Sequence, residues 1–94
     1  MVKEEILEVS EVENDIGNDN DKSRNLILFN DDIHTFNFVI EALIDICKHD
    51  FAQAEQCTFL VHYKGKCDVK QGSYKNLKPM REELVKRGLK AQIH

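Results

Sequence analysis

From Arg24 onward the apolar positions of this chain keep two rhythms, one of period two and one near 3.6. Leu26, Ile27, Leu28 and Phe29 form a short apolar run that reads as a strand, closed by the turn-forming triplet Asn30, Asp31 and Asp32. Phe36, Val39, Ile40, Leu43 and Cys47 then recur at helical spacing, which predicts a helix from Thr35 to about Lys48, with Thr35 or His34 near its N-cap. Asp50, followed three residues later by Gln53, opens a second helix in a capping-box arrangement. Its expected inward positions are Phe51, Ala54, Cys57, Thr58 and Val61, and Gly65 ends it.

Residues 66–71 alternate in polarity and predict a second strand, short and near a sheet edge. Ser73 is placed to cap a third helix whose apolar stripe is Tyr74, Leu77, Met80 or Arg81, Leu84 and Val85. Gly88 supplies the stop, and residues 89–93 alternate again as a closing strand. Pro79 complicates the third helix, because a proline deep in a helix costs ~3 kcal/mol or more. One irregular turn is therefore expected before it, with the main helix starting near Pro79 at the tolerated first position. The expected fold class is α+β: a small antiparallel three-stranded sheet packed against three helices, in the order β-α-α-β-α-β.

Residues 1–22 have a different character. They carry eight acids and two lysines, a net charge of −6, with no aromatic residue. The few apolar positions there (Ile6, Leu7, Val9, Val12) offer too little area to offset roughly 1–2 kcal/mol of backbone entropy per ordered residue. This segment is expected to be a disordered acidic tail, ahead of a folded domain over residues 23–94. Charge stays uneven beyond it, at −4 for residues 23–62 and +6 for residues 63–94, and the formal total is −4. Opposed faces of different sign follow from such a layout more readily than a nucleic-acid surface. The basic third also lacks interleaved aromatics for base stacking.

Composition narrows the class further. The chain has 94 residues, 41% of them hydrophobic and 32% charged, enough for one small domain with a thin core. No stretch approaches the ~20 apolar residues of a membrane span. The acidic start lacks the pattern of a signal peptide, so a cytoplasmic protein is expected. Cys47, Cys57 and Cys67, three in number and ten apart, match neither a disulfide framework nor a zinc motif, and reduced thiols are expected. Cys47 with His49, or Cys57 with His62, would still need a third and a fourth ligand to hold zinc, so no metal and no cofactor are expected. On the residues alone His34 and His49 read as solvated side chains, and His94 is the last residue of the sequence.

The chemistry concentrates at two places. Asn30, Asp31 and Asp32 stand together where the first strand ends, and His62 follows thirty residues later in the run Val61-His62-Tyr63-Lys64-Gly65-Lys66. A strand-to-helix turn alone accounts for one or two such polar residues, because Asn and Asp bond their own backbone. His62 alone reads equally as a packed helix-end histidine.

Taken together, Leu28-Phe29-Asn30-Asp31-Asp32, Phe38-Val39-Ile40 and Val61-His62-Tyr63-Lys64-Gly65-Lys66 resemble ClpS, the adaptor family of Clp-type protease machines. The two main motifs stand about thirty residues apart without a gap, and the resemblance covers residues 24 to about 94. It implies a non-enzymatic adaptor that binds proteins bearing a bulky hydrophobic N-terminal residue, an N-degron. Such substrates would pass to an AAA+ unfoldase of the ClpA or ClpC type. Charge layout and hydropathy separately argue against nucleic-acid and membrane partners, and a monomer is expected. By the same resemblance Asn30, Asp31 and His62, with Asp32 beside them, surround the substrate's α-amino group. The side-chain pocket would be lined by His34, Phe36, Val39, Thr58 and Val61, with Ala42 and Leu43 deeper in or behind it. Lys78 falls near a lysine that faces the unfoldase in relatives, and the tail over residues 1–22 would help engage that partner.

The proposed receptor makes physical sense residue by residue. An α-ammonium is a three-donor cation that cannot be buried unpaired, so it needs acceptors converging from several directions. An amide oxygen, a carboxylate and a neutral imidazole supply them, and charge-assisted hydrogen bonds are roughly twice as strong as neutral ones. Three departures from the family pattern reshape the pocket. Thr58 and Phe36 stand where methionine is common, and His34-Thr35 replaces the usual Thr-Pro. Two other readings stay open on the residues alone: an interaction module of the same fold that has lost amine recognition, and a small metal-dependent hydrolase using Asp31, Asp32 and His62.

Overall fold

The computed structural model describes residues 22–94. Of the expected acidic tail, residues 1–21 lie outside the described residues. Strand β1 spans Arg24–Phe29, helix α1 Phe36–Cys47, helix α2 Phe51–Lys64, strand β2 Lys66–Gly72, helix α3 Tyr74–Lys86 and strand β3 Lys90–Ile93. This is the α+β order the sequence predicts. The sheet runs β2-β1-β3, and β1 is antiparallel to both neighbours. β2 is an edge strand, as its alternating pattern suggested.

Local chemistry sets most of the boundaries. Thr35 caps α1 by accepting from the Phe38 N–H at 3.1 Å, and Asp50 caps α2 by accepting from the Gln53 N–H at 2.7 Å. Gly65 closes α2 at φ 94°, a left-handed conformation that costs glycine nothing. Lys48 closes α1 in the same region at φ 61°, and the N–H of His49 donates back to the Leu43 carbonyl at 3.3 Å. Ser73 caps α3.

The third helix corrects the sequence reading. It begins at Tyr74 and runs unbroken through Pro79. The Ser73 cap and the burial of Leu77 and Leu84 against the core hold it together. The proline's cost is thus absorbed inside the helix rather than avoided at its start. Tyr74 and Val85, expected on the apolar stripe, are exposed, and so is Phe51 at the start of α2.

The core lies between the helices and one face of the sheet. Leu26 and Leu28 from β1 meet Leu43 and Cys47 from α1, Ala54 from α2, and Leu77 and Leu84 from α3. All three cysteines are free and buried in this layer. Burial pushes the Cys47 thiol up to about 11, and burial together with the neighbouring Cys57 thiol pushes Cys67 up to about 12. The Cys47 and Cys67 thiols are therefore neutral and inert in the fold.

His49 is buried too, contrary to the expectation that it is solvated. The register of β1 on β2 shifts between Leu26 and Ile27, so that Leu26 faces Lys70 while Ile27 faces Asp68. Val69 is the extra residue of this bulge, and its carbonyl accepts from Nε2 of His49. Next to it Lys70 donates from Nζ to the Cys47 carbonyl at 2.9 Å, tying the bulge to the end of α1. None of the helices in the described residues is long and apolar enough to cross a membrane.

Candidate functional site

The functional corner forms where β1 runs out. Asn30 leaves the strand with its N–H donating to the Gly65 carbonyl at 2.9 Å, which fastens the turn to the C-terminal end of α2. The Asn30-Asp31-Asp32 turn is thereby held within reach of His62, one turn back along that helix.

Asp31 organises the turn. Its Oδ1 accepts from the N–H groups of Ile33 and His34, each at 2.9 Å, and its Oδ2 accepts from Nδ1 of the His34 ring at 2.9 Å. An ionised carboxylate only accepts, so the His34 proton sits on Nδ1. The Asp31 side chain is 9% exposed. That burial raises its pKa, but the hydrogen bonds from His34 and Ile33 outweigh it and hold the carboxyl below its ordinary value. Asp31 thus stays charged at the mouth of an apolar cavity.

The cavity is about 190 Å³ in volume. Asn30, Asp31, Asp32, His34 and His62 line one part of it. Asn30, Asp32 and His62 form no side-chain hydrogen bond to another described residue, which leaves their polar atoms open to a ligand. Phe36 and Val39 from α1 and Val61 from α2 give the wall apolar surface, with Thr58 beside them. Thr58 is buried, and its hydroxyl donates to the Ala54 carbonyl at 2.7 Å. Its polarity is spent inside the helix, so it brings no free donor to the wall. Phe36 forms the lip between the two helices, its ring edge-on to Phe59 at 5.0 Å and to His62 at 6.3 Å.

Structure and sequence differ at several site positions. Ala42 and Leu43 are fully buried in the core behind the cavity and are not among its wall residues. Lys78, expected on a surface apart from the pocket, lies exposed on α3. His34, read as solvated from composition alone, is half-buried and bonded to Asp31. Four wall residues were not anticipated: Leu28, Phe29, Thr35 and Leu89. Leu28, Phe29 and Thr35 follow once the turn is known to fold over the strand end. Leu89 comes from the α3–β3 connection, and nothing near it in sequence marks it.

Among the described residues, no group of three or more His, Cys, Asp and Glu side chains is placed to hold a metal ion. The site offers hydrogen-bond acceptors at one end and apolar surface at the other.

Comparison with known proteins bears on the fold and the family. The family model described as "ATP-dependent Clp protease adaptor protein ClpS" matches residues 19–92. Among solved structures, that of ClpS2 from Agrobacterium tumefaciens bound to L-phenylalaninamide superposes with a TM-score of 0.66 at 18% identity, covering 78% of this chain and 95% of that one. At this identity the likeness speaks for the fold. No curated protein sequence matches the chain. With the family pattern running through all six elements, this chain belongs to the ClpS family of ATP-dependent Clp protease adaptor proteins.

Proposed function

We propose that the chain binds proteins through a bulky hydrophobic N-terminal residue and delivers them to a Clp AAA+ unfoldase for degradation. One observation carries the reading: Asn30, Asp31, Asp32 and His62 line the same cavity as Phe36, Val39, Thr58 and Val61. The polar group receives the α-ammonium, with Asp31 supplying the countercharge. The apolar walls receive the first side chain, whose burial contributes about 1.5–3 kcal/mol. Membership of an adaptor family supports a binding role over a catalytic one. The L-phenylalaninamide held by ClpS2 joins an α-amine to a benzyl group, the two features this pocket is shaped to take.

Delivery involves surfaces away from the pocket. Lys78 on α3 and the acidic segment over residues 1–22 are the proposed contacts with the unfoldase. Both roles come from the family resemblance.

The test is degradation by a reconstituted Clp unfoldase and protease. A reporter beginning with Leu or Phe should be degraded faster when this chain is added, and one beginning with Ala should not. Equal rates for the two reporters, with and without the chain, would reject the reading.

A further inference from the structure

Beside the pocket, α2 carries a pair of stacked aromatic rings turned to solvent. Phe59 and Tyr63, one turn apart, are 43% and 71% exposed, with ring centroids 5.5 Å apart and planes 15° from parallel. Phe36 at the pocket lip meets Phe59 edge-on at 5.0 Å, and His62 meets Tyr63 edge-on at 4.8 Å. The apolar surface therefore does not end at the pocket rim. It continues over Phe36 onto a shelf formed by Phe59 and Tyr63.

We propose that this shelf is a second subsite, receiving an apolar or aromatic side chain at the third position of the bound chain. The inference rests on the N-terminal reading of the pocket. In an extended peptide successive side chains point to opposite sides, at about 3.3 Å per residue. A chain that sends its first side chain into the pocket turns its second away and returns its third to the same surface, roughly 6.6 Å further on. The shelf lies within that distance of the pocket rim, since the Phe59 ring is 5.0 Å from Phe36 and the Tyr63 ring is 5.5 Å from Phe59 and 4.8 Å from His62. A chain whose ammonium end is held at the Asn30–Asp32 turn and whose remainder passes over Phe36 meets this shelf next.

A second copy of the chain fits the shelf poorly. A stable protein interface buries about 800 Å² on each partner. Two rings, at about 150–250 Å² each when wholly buried, cannot supply that area, and these are already partly covered by each other. One incoming side chain matches the surface that is present.

The test uses labelled peptides that begin with Leu, read by fluorescence anisotropy. One set holds Ala at the second position and varies the third among Ala, Phe and Asp; a mirror set holds Ala at the third and places Phe at the second. Phe at the third position should tighten binding by about 3-fold to 10-fold over Ala, the usual gain of an aromatic pair. Tyr63→Ala should remove that gain and leave the affinity of the Leu-Ala-Ala peptide unchanged. Equal affinity across the third position, a gain seen only at the second, or a gain that survives in Tyr63→Ala would each overturn the subsite. Concentration-dependent dimerisation abolished by Tyr63→Ala would assign the shelf to a second copy and overturn it as well. Failure of every Leu-first peptide to bind would reject the pocket reading, and the shelf with it.

Discussion

Asp31 and His34 are joined twice: the His34 ring donates from Nδ1 to Oδ2 of Asp31, and the His34 N–H donates to Oδ1, both at 2.9 Å. The ring is fixed from two further sides. It stacks on Phe38 at 4.7 Å, and it lies so close to Gly88 that a Cβ there would come within 3.1 Å of Nε2. The carboxylate is therefore aimed before any ligand arrives, which lowers the ordering cost of binding.

Two substitutions separate the countercharge from the group that aims it. Asp31→Ala removes the countercharge and should weaken binding of a Leu-first peptide by roughly 10-fold to 100-fold, as expected for a hydrogen bond to a charged group. His34→Ala leaves the charge and loosens its aim, so a smaller loss, of about 3-fold to 10-fold, is expected. Titration calorimetry on both variants checks the order. A larger loss in His34→Ala than in Asp31→Ala would contradict these roles.

Acid should act through the same residue. The Asp31 pKa lies below its unfolded value of 3.8. The unfolded chain then binds more protons than the folded one as this group titrates, so its contribution is present above pH 3.8 and is lost as pH falls through the folded pKa. Urea unfolding at pH 5 and at pH 3 should show wild type losing more stability than Asp31→Asn. Equal losses would mean the hydrogen bonds at Asp31 do not discriminate between its two protonation states.

The buried thiols give a prediction at the opposite end of the pH scale. The Cys47 and Cys67 values, about 11 and about 12 in the fold, exceed the unfolded value of 9.0. Their contribution is complete below pH 9.0 and is lost as pH rises from there through the folded values. Below pH 9, all three cysteines should resist a thiol reagent in the native protein and react promptly in denaturant. Fast native labelling at neutral pH would contradict their burial.

Pro79 tests the packing of α3. Without an N–H it leaves the Lys75 carbonyl lacking its helical partner, while in the unfolded chain it restricts the backbone. Pro79→Ala should restore the bond and stabilise the domain by about 1–2 kcal/mol net, the helical gain exceeding the lost restriction. For a domain of this size that raises Tm by roughly 4–16 °C. A lower Tm would show that the proline fits this helix without cost.

What could be read from the sequence follows how far each signal reaches along the chain. Thr35, Asp50, Gly65 and Ser73 act on neighbours a few residues away, so the helix ends they set were legible in advance. The turn and the His62 motif were also legible, because each is a contiguous run. Other features depend on partners far off in sequence. His49 is buried because a bulge twenty residues later offers it the Val69 carbonyl, and Leu89 reaches the pocket only once α3 is docked. Ala42 and Leu43 carry the same apolar signal as true wall residues, and only the rotation of α1 sends them to the core. Periodicity marks a helix's apolar face without saying whether that face meets a core, a cavity or water. For the same reason Phe51, Tyr74 and Val85 carry an inward-facing pattern and yet are exposed.

The central claim is that the corner built by Asn30, Asp31 and His62 reads a free, charged amine. Calorimetric titration with two peptides, identical from a leading Leu onward except that one is acetylated on its α-amine, tests this most directly. The free peptide should bind with a Kd on the order of micromolar, about −8 kcal/mol, and the acetylated one should show no measurable heat. Equal affinity for the two would contradict the claim, whatever the apolar part of the pocket contributes.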